Sequence, residues 1–291
     1  MEHFSGRVAV ITGAASGIGL AIAWRFAAEG MKLVLADVEA TALEQAAAAL
    51  KQAGHDVLAV RTDVSSADSV AALAQQAFER HGKVHVLCNN AGIVPPDRFK
   101  PIWESSLEDW KWALDVNLWG VIHGVRSFLP RMLELGDEGH VVNTASVAGL
   151  ISGSGSGVYS VAKHGVVRLT EGVFASLQER GEKIGATVLC PGVVATGIYN
   201  SERNRPGVMA EEKAAATDAY HKVAQDLYRT AMKPEQVAEQ VLQAIRTRQL
   251  YAVTTSAFDD AVRERMEAIL ERRNPQFADL LTLSKRDSSQ I

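Results

Sequence analysis

The sequence predicts an α/β fold: a doubly wound parallel sheet with helices on both faces, in a single domain. Short apolar runs rich in β-branched residues alternate with stretches of helical spacing, and the connections between them are brief. The strand-like runs lack a clean in–out alternation, which is the pattern of strands buried on both faces. No linker, internal repeat or low-complexity stretch divides the 291 residues.

The elements follow in order. Residues 7–12 form a strand and run into a glycine-rich turn. Residues 18–29 carry apolar side chains at helical spacing and are closed by Gly30. Lys32–Asp37 is again strand-like, and the alanine-rich stretch 41–53 is a helix ending at Gly54. Residues 57–62 are a strand, 66–81 a helix stopped by Gly82, and 84–89 another strand. A Pro95-Pro96 break precedes helical stretches over 107–115 and 116–135. Then come a strand at 140–145, a helix at 158–180 and a strand at 186–190. Near the end, Phe258, Ala261, Val262, Met266, Ile269 and Leu270 fall at helical spacing, and Asn274-Pro275 supplies a stop. This last helix is expected to pack by its apolar face on the subunit or on its neighbour near the substrate lid, and residues 284–291 are expected to be mobile.

Composition narrows the class. The hydrophobic fraction is 47% and the charged fraction 22%, which excludes global disorder. Thirty basic against thirty-four acidic residues leave a net charge of -4, giving no electrostatic footing for nucleic acid. No apolar run approaches the roughly 20 residues needed to span a bilayer, and residues 1–6 carry no basic-then-apolar leader. Cys88 and Cys190 lie in apolar strand-like runs and read as buried thiols of a reducing compartment. The eight histidines show no metal-like pairing, so no metal site is expected. A soluble, cytoplasmic protein with a small-molecule partner is the expectation, without nucleic acid or membrane.

The first strand runs into Thr12-Gly13-Ala14-Ala15-Ser16-Gly17-Ile18-Gly19, where a helix begins. Glycines there let the backbone approach a pyrophosphate, while the helix amino terminus offers unpaired N–H groups and a positive dipole end. Asp37, at the end of the second strand, can accept from both hydroxyls of an adenosine ribose and would repel a 2′-phosphate. Its competing reading is a cap for the helix starting near Thr41. The context favours dinucleotide binding in a Rossmann-type fold, with NAD preferred over NADP.

The chemistry-bearing residues lie further on. Asn89-Asn90-Ala91-Gly92 ends the fourth strand, Asn117 follows Asp115-Val116, and Ser146 follows Val142-Asn143-Thr144-Ala145. Tyr159 comes thirteen residues later, in Tyr159-Ser160-Val161-Ala162-Lys163. Four residues apart on a helix, Tyr159 and Lys163 share a face. A phenol titrates near pH 10, and a neighbouring ammonium favours phenolate and lowers that value. With Pro191-Gly192 and the glycine turn, these motifs make the chain resemble the short-chain dehydrogenase/reductase family over about residues 6–255.

The resemblance implies specific roles. Tyr159 exchanges a proton with the substrate oxygen, and Ser146 holds that oxygen. Lys163 lowers the tyrosine pKa and binds the nicotinamide ribose, and Asn117 supports a water chain to solvent. Gly13, Ser16, Gly17, Ile18 and Gly19 would hold the phosphates, and Asp37 the adenosine ribose. Asp63 and Val64 would contact adenine, and Asn90, Ala91 and Gly92 would line the cleft. Pro191, Gly192 and Val194 would also bind the cofactor, and Thr196 would contact its carboxamide or pyrophosphate. Residues 1–257 would form the catalytic domain, with a lid at about 193–231, and 258–291 its carboxyl-terminal extension.

The activity implied is NAD(P)-dependent interconversion of a secondary alcohol and a ketone. A catalytically silent dinucleotide sensor of the same fold is the alternative, and such a protein could dispense with the Ser146, Tyr159 and Lys163 that this chain keeps. The helices at 116–135 and 158–180 are apolar on nearly all sides, which predicts a homodimer or homotetramer, as the resemblance also implies. Residues 93–96, 149–158 and the segment after Thr196 are the candidate substrate pocket, suited to a moderately large, partly apolar alcohol or ketone.

Overall fold

The computed structural model describes residues 1–95, 101–153, 157–207 and 231–277. Seven parallel strands make one sheet in the order β3-β2-β1-β4-β5-β6-β7. They are β1 (Val8–Thr12), β2 (Lys32–Asp37), β3 (Val57–Arg61), β4 (Val86–Asn89), β5 (Gly139–Thr144), β6 (Ile184–Cys190) and β7 (Tyr251–Val253). The chain builds outward from β1 through β2 to β3. It then returns to lay β4 on the other side of β1, and the strand order reverses there. In an open α/β sheet, ligands bind outside the carboxyl ends of the strands at that reversal.

The helices are α1 (Gly17–Ala28), α2 (Ala40–Gln52), α3 (Ala67–His81), α4 (Leu107–Leu114), α5 (Gly120–Glu134), α6 (Gly157–Glu179), α7 (Pro234–Thr247) and α8 (Asp259–Glu271). Successive residues of β1 serve opposite layers. Ala9 and Ile11 pack with Ile22 and Phe26 of α1 and Val241 and Ile245 of α7. Val8 and Val10 pack with Leu73 and Phe78 of α3 and Phe128 of α5. Both faces of the sheet are therefore dry, which explains why the strands read as continuous apolar runs. Helix ends follow local chemistry: Ser66 caps α3 by accepting from Ser69 N, and Gly82 stops it at φ 74°.

Three findings depart from the sequence expectations. First, α7 and β7 had no counterpart. Pro234 opens α7, and Gln236 accepts from Lys233 N, so the start signals stand in the sequence. β7 is only three residues long and leaves no periodicity to read. Second, α4 and α5 are joined by a π-helical turn, Asp115–Trp119, in place of the helical start expected at 116. Third, α8 forms at the expected place, but within the chain it buries only the first part of its apolar face. Phe258 is buried and Ala261 and Val262 are half-buried, while Met266, Ile269 and Leu270 are exposed. The first half of the helix meets the loop after β5, where Phe258 and Ala261 pack with Val147 and Ile151 and Arg265 donates to Leu150 O.

Cys88 and Cys190 are free and buried. Among the described residues, no helix is long and apolar enough to cross a membrane. The expected mobile tail, 284–291, lies outside the described residues, as do 208–230 of the expected lid.

Candidate active site

The site is built where β1 and β4 diverge. The Thr12 hydroxyl accepts from Asn90 N at 2.9 Å and Ala91 N at 3.1 Å, and Asn90 Nδ2 donates to Thr12 O at 3.1 Å. These bonds hold the two strand ends together as the chain turns through Gly13 at φ 65°. A Cβ on Gly13 would stand 2.8 Å from Ala91 Cα, and one on Gly19 would collide with the Gly13 carbonyl oxygen. The glycines are therefore set by close backbone approach. Ser16 flanks α1 but makes no side-chain cap, so the positive end of α1 faces the cleft lined by Ser16, Gly17 and Ile18.

Asp37 ends β2 on the rim of the same cleft. One carboxylate oxygen accepts from Ala15 N at 3.0 Å and the other from Glu39 N at 3.1 Å. Burial pushes its carboxyl upward in pKa, against the backbone N–H groups that favour the charge. The cap position of α2 is Glu39, so Asp37 is not that cap. Instead it pins the glycine turn. Asp63 is fixed by a local turn, its Oδ1 accepting from Ser65 N and the Ser65 hydroxyl.

At the other end of the cleft, Ser146 follows β5. Its Oγ accepts from Ala148 N at 3.2 Å and donates to Pro191 O at 3.4 Å, so it stands between the loops after β5 and β6. Lys163 is buried within α6. Its Nζ donates to Thr144 O at 2.9 Å and lies 5.6 Å from the centre of the Tyr159 ring. Desolvation lowers its pKa to about 8. Asn117 is fully buried in the π turn, where its amide accepts from Ile93 N and donates to Ile93 O, both at 2.9 Å. A Cβ on Gly92 would lie 3.0 Å from Asn117 Oδ1 and 3.3 Å from Lys163 Nζ. Gly92 thus separates the two groups without filling the space.

A single cleft of about 350 Å³ joins these parts. Of the residues singled out from the sequence, Gly13, Ser16, Gly17, Ile18, Asp37, Asp63, Val64, Asn90, Ala91 and Gly92 line it. So do Ser146, Tyr159, Lys163, Pro191, Gly192, Val194 and Thr196. Gly19 and Asn117 stand behind the wall and act through packing and hydrogen bonds.

A family model described as short chain dehydrogenase matches residues 7–207. The chain belongs to this family. The 1-deoxy-11-beta-hydroxypentalenate dehydrogenase of Streptomyces exfoliatus is 39% identical over 216 residues, covering 74% of this chain and 78% of that protein. The C alpha-dehydrogenase of Sphingobium sp. is 31% identical over 286 residues, covering 96% and 90%. Among solved structures, a short chain dehydrogenase/reductase from Burkholderia phymatum in complex with NAD superposes with a TM-score of 0.87 at 43% identity. That superposition covers 96% of this chain and 99% of the other.

This short chain dehydrogenase carries site residues that the sequence reading did not name. Glu39 and Arg203 both line the cleft, and Arg203 Nη2 lies 2.7 Å from Glu39 Oε1. Asn204 Nδ2 donates to the same oxygen at 2.9 Å. Together they strap the 3-10 segment Gly197–Asn204 to the start of α2. Because 164 residues separate the partners, no local pattern could reveal the pair. Trp112, Val147, Val193 and Phe258 add apolar lining, beside Ile93, Val94 and Ile198 of the expected substrate pocket.

The buried ammonium of Lys163 has a measurable cost. Its folded pKa of about 8 lies below the ~10.4 of an unfolded lysine. Between those values the unfolded chain binds more protons, so this group destabilises the fold fully below pH 8 and less as pH rises. Lys163→Met is expected to raise Tm of the cofactor-free protein at pH 7 by about 2–4 °C, or about 1 kcal/mol for a domain of this size. The gain should shrink towards pH ~10.4. Paired melting curves across that range check it; a loss at pH 7 would mean that the bond to Thr144 outweighs the desolvation.

Proposed function

We propose that the protein is an NAD-dependent dehydrogenase that interconverts a secondary alcohol and a ketone, with Tyr159 as general acid and base. One observation carries this reading: Ser146, Tyr159 and Lys163 line the same cleft as the glycine turn and Asp37. The NAD complex of the Burkholderia phymatum relative and the dehydrogenase names of the other relatives support it. The residues fit a dinucleotide, since the α1 terminus carries no side-chain cap and Gly13, Ser16 and Gly17 line the cleft in front of it with little side-chain bulk. The turn would hold the pyrophosphate, Asp37 the adenosine ribose, and Tyr159 and Lys163 the nicotinamide ribose.

When bound, the nicotinamide supplies the hydride acceptor for oxidation or the donor for reduction. The chain handles the proton and the oxygen. Tyr159 Oη takes the hydroxyl proton of an alcohol, or returns one to a carbonyl oxygen. The Lys163 ammonium favours the phenolate form. Ser146 Oγ donates to the substrate oxygen, exchanging its long 3.4 Å bond to Pro191 O. Asn117 holds the Ile93 backbone, and through it the space beside Gly92 and Lys163 where a water chain to solvent would run.

Tyr159→Phe should lose at least ~100-fold in turnover, the low end for a positioned acid–base group, while NADH still binds. A mutant that turns over normally would refute the role. NAD should be preferred over NADP, because a 2′-phosphate would meet the Asp37 carboxylate at a cost of ~1–3 kcal/mol. Comparing kcat/KM for the two cofactors decides this, and preference for NADPH overturns it. Asp37→Ala should narrow the preference and weaken both cofactors, because Asp37 also holds Ala15 N.

We also infer a homodimer or homotetramer. Trp119 and Val161 are 49% and 44% exposed. Both lie on the apolar stretches that one sheet cannot cover. Light scattering at micromolar concentration should report the oligomer, and a stable, active monomer would contradict it.

A further inference from the structure

Phe258 lies beyond the last strand, at the entrance to α8, yet it is only 2% exposed and lines the catalytic cleft together with Tyr159. Its ring packs against Val147, the residue next to Ser146. Two sets of bonds hold it there. On one side, Arg265 Nη1 donates to Leu150 O at 3.0 Å, fastening α8 to the loop after β5. On the other, the Thr254 hydroxyl accepts from Gly192 N at 3.3 Å, and Thr254 N donates to Cys190 O at 3.3 Å, fastening the lead-in to the end of β6. The ring is therefore fixed to the two loops that flank the chemistry. Later in α8, Met266, Ile269 and Leu270 remain exposed, so burial of the helix does not account for where Phe258 sits.

A second ring packs on the neighbour of the other reacting residue. Trp112 of α4 lines the cleft and packs with Ile93 and with Val158, the neighbour of Tyr159. Arg205 backs it with its guanidinium 5.4 Å from the indole centre, and Asp109 holds Arg205 at 2.6 Å. Substrate walls made of braced, flat apolar rings favour flat apolar groups, which gain both area burial and ring–ring contact.

We propose that Phe258, supplied by the carboxyl-terminal extension, is a specificity-determining residue that selects secondary alcohols and ketones bearing an apolar ring next to the reacting carbon. This rests on the reading of the cleft as a dehydrogenase site, and the test separates the two. Oxidation of 2-propanol, 1-phenylethanol and 1-(2-naphthyl)ethanol with NAD is compared for the wild type, Phe258→Ala and Phe258→Leu. The kcat/KM ratio of each aryl alcohol to 2-propanol should fall about 10-fold or more in Phe258→Ala, the scale of one lost ring contact with its buried area. It should fall less in Phe258→Leu, which keeps much of the volume if the alanine variant does not fold. Equal changes for all three alcohols, or no change, overturn the proposal.

A binding readout works without turnover. With NADH present, 2-acetonaphthone should raise Tm of the wild type, and Phe258→Ala or Phe258→Leu should abolish or reduce that shift. If the wild type oxidises none of the alcohols yet shows a Phe258-dependent shift, the dehydrogenase reading fails and the ring wall stands. If the wild type shows no shift and no aryl preference, the ring wall fails.

Discussion

The site depends on one tie, the Thr12 hydroxyl accepting from Asn90 and Ala91 N–H groups across the gap between β1 and β4. At that gap the strand order reverses, so the helices connecting the two halves leave on opposite faces and the strand ends splay. Held together by Thr12, the splayed ends bring the glycine turn over Ala91 closely enough that even a methyl on Gly13 would displace backbone. The positive end of α1, the Asp37 rim and the Asn90–Gly92 floor all inherit their positions from this contact.

Beneath the site runs a buried polar layer that a purely apolar core would lack. Asn89 Nδ2 donates to Asn143 Oδ1, Asn143 Nδ2 donates to the Thr170 hydroxyl, and Lys163 Nζ donates to Thr144 O. Buried polar groups are costly unless partnered, and here each amide Nδ2 donates to the next strand or helix, while Asn89 Oδ1 has no hydrogen-bond partner among the described residues. The layer fixes the register of α6 against β5, which in turn sets Tyr159 and Lys163 relative to Ser146. Desolvation holds the Lys163 ammonium at a cost, and in the proposed mechanism that cost is stability given up for chemistry.

Much of this was legible in the sequence because each signal was local. The strand ends at Thr12, Asp37 and Asn89 follow from apolar runs punctuated by glycine or polar residues, and Tyr159 and Lys163 share a face through helical spacing alone. What escaped depends on distance along the chain. The Glu39–Arg203 tie and the place of Phe258 in the cleft require knowing which loops the sheet brings together. The apolar stripe of α8 was legible as helical, but which surface covers its outer part was not, because periodicity reports a stripe and not a partner. Asn117 was found by motif, while the π turn that buries its side chain leaves no sequence signature.

In the segment after Thr196, two ties only two residues apart differ in strength, an outer one at Arg203 and an inner one at Arg205. Arg203 and Glu39 are each about one-third exposed, and water and salt reduce such a pair to about 1 kcal/mol or less. Arg205 is seated against Asp109 and Glu202, at 2.6 and 3.3 Å, with all three side chains at most 15% exposed. Taking it away would strand two buried carboxylates, at a cost of about 3–5 kcal/mol. Ser201 strengthens that inner tie by accepting from Val94 N at 3.1 Å. The Glu39 tie, beside Asp37, is therefore the weaker of the two, and the Asp109–Arg205–Glu202 group that backs Trp112 the stronger.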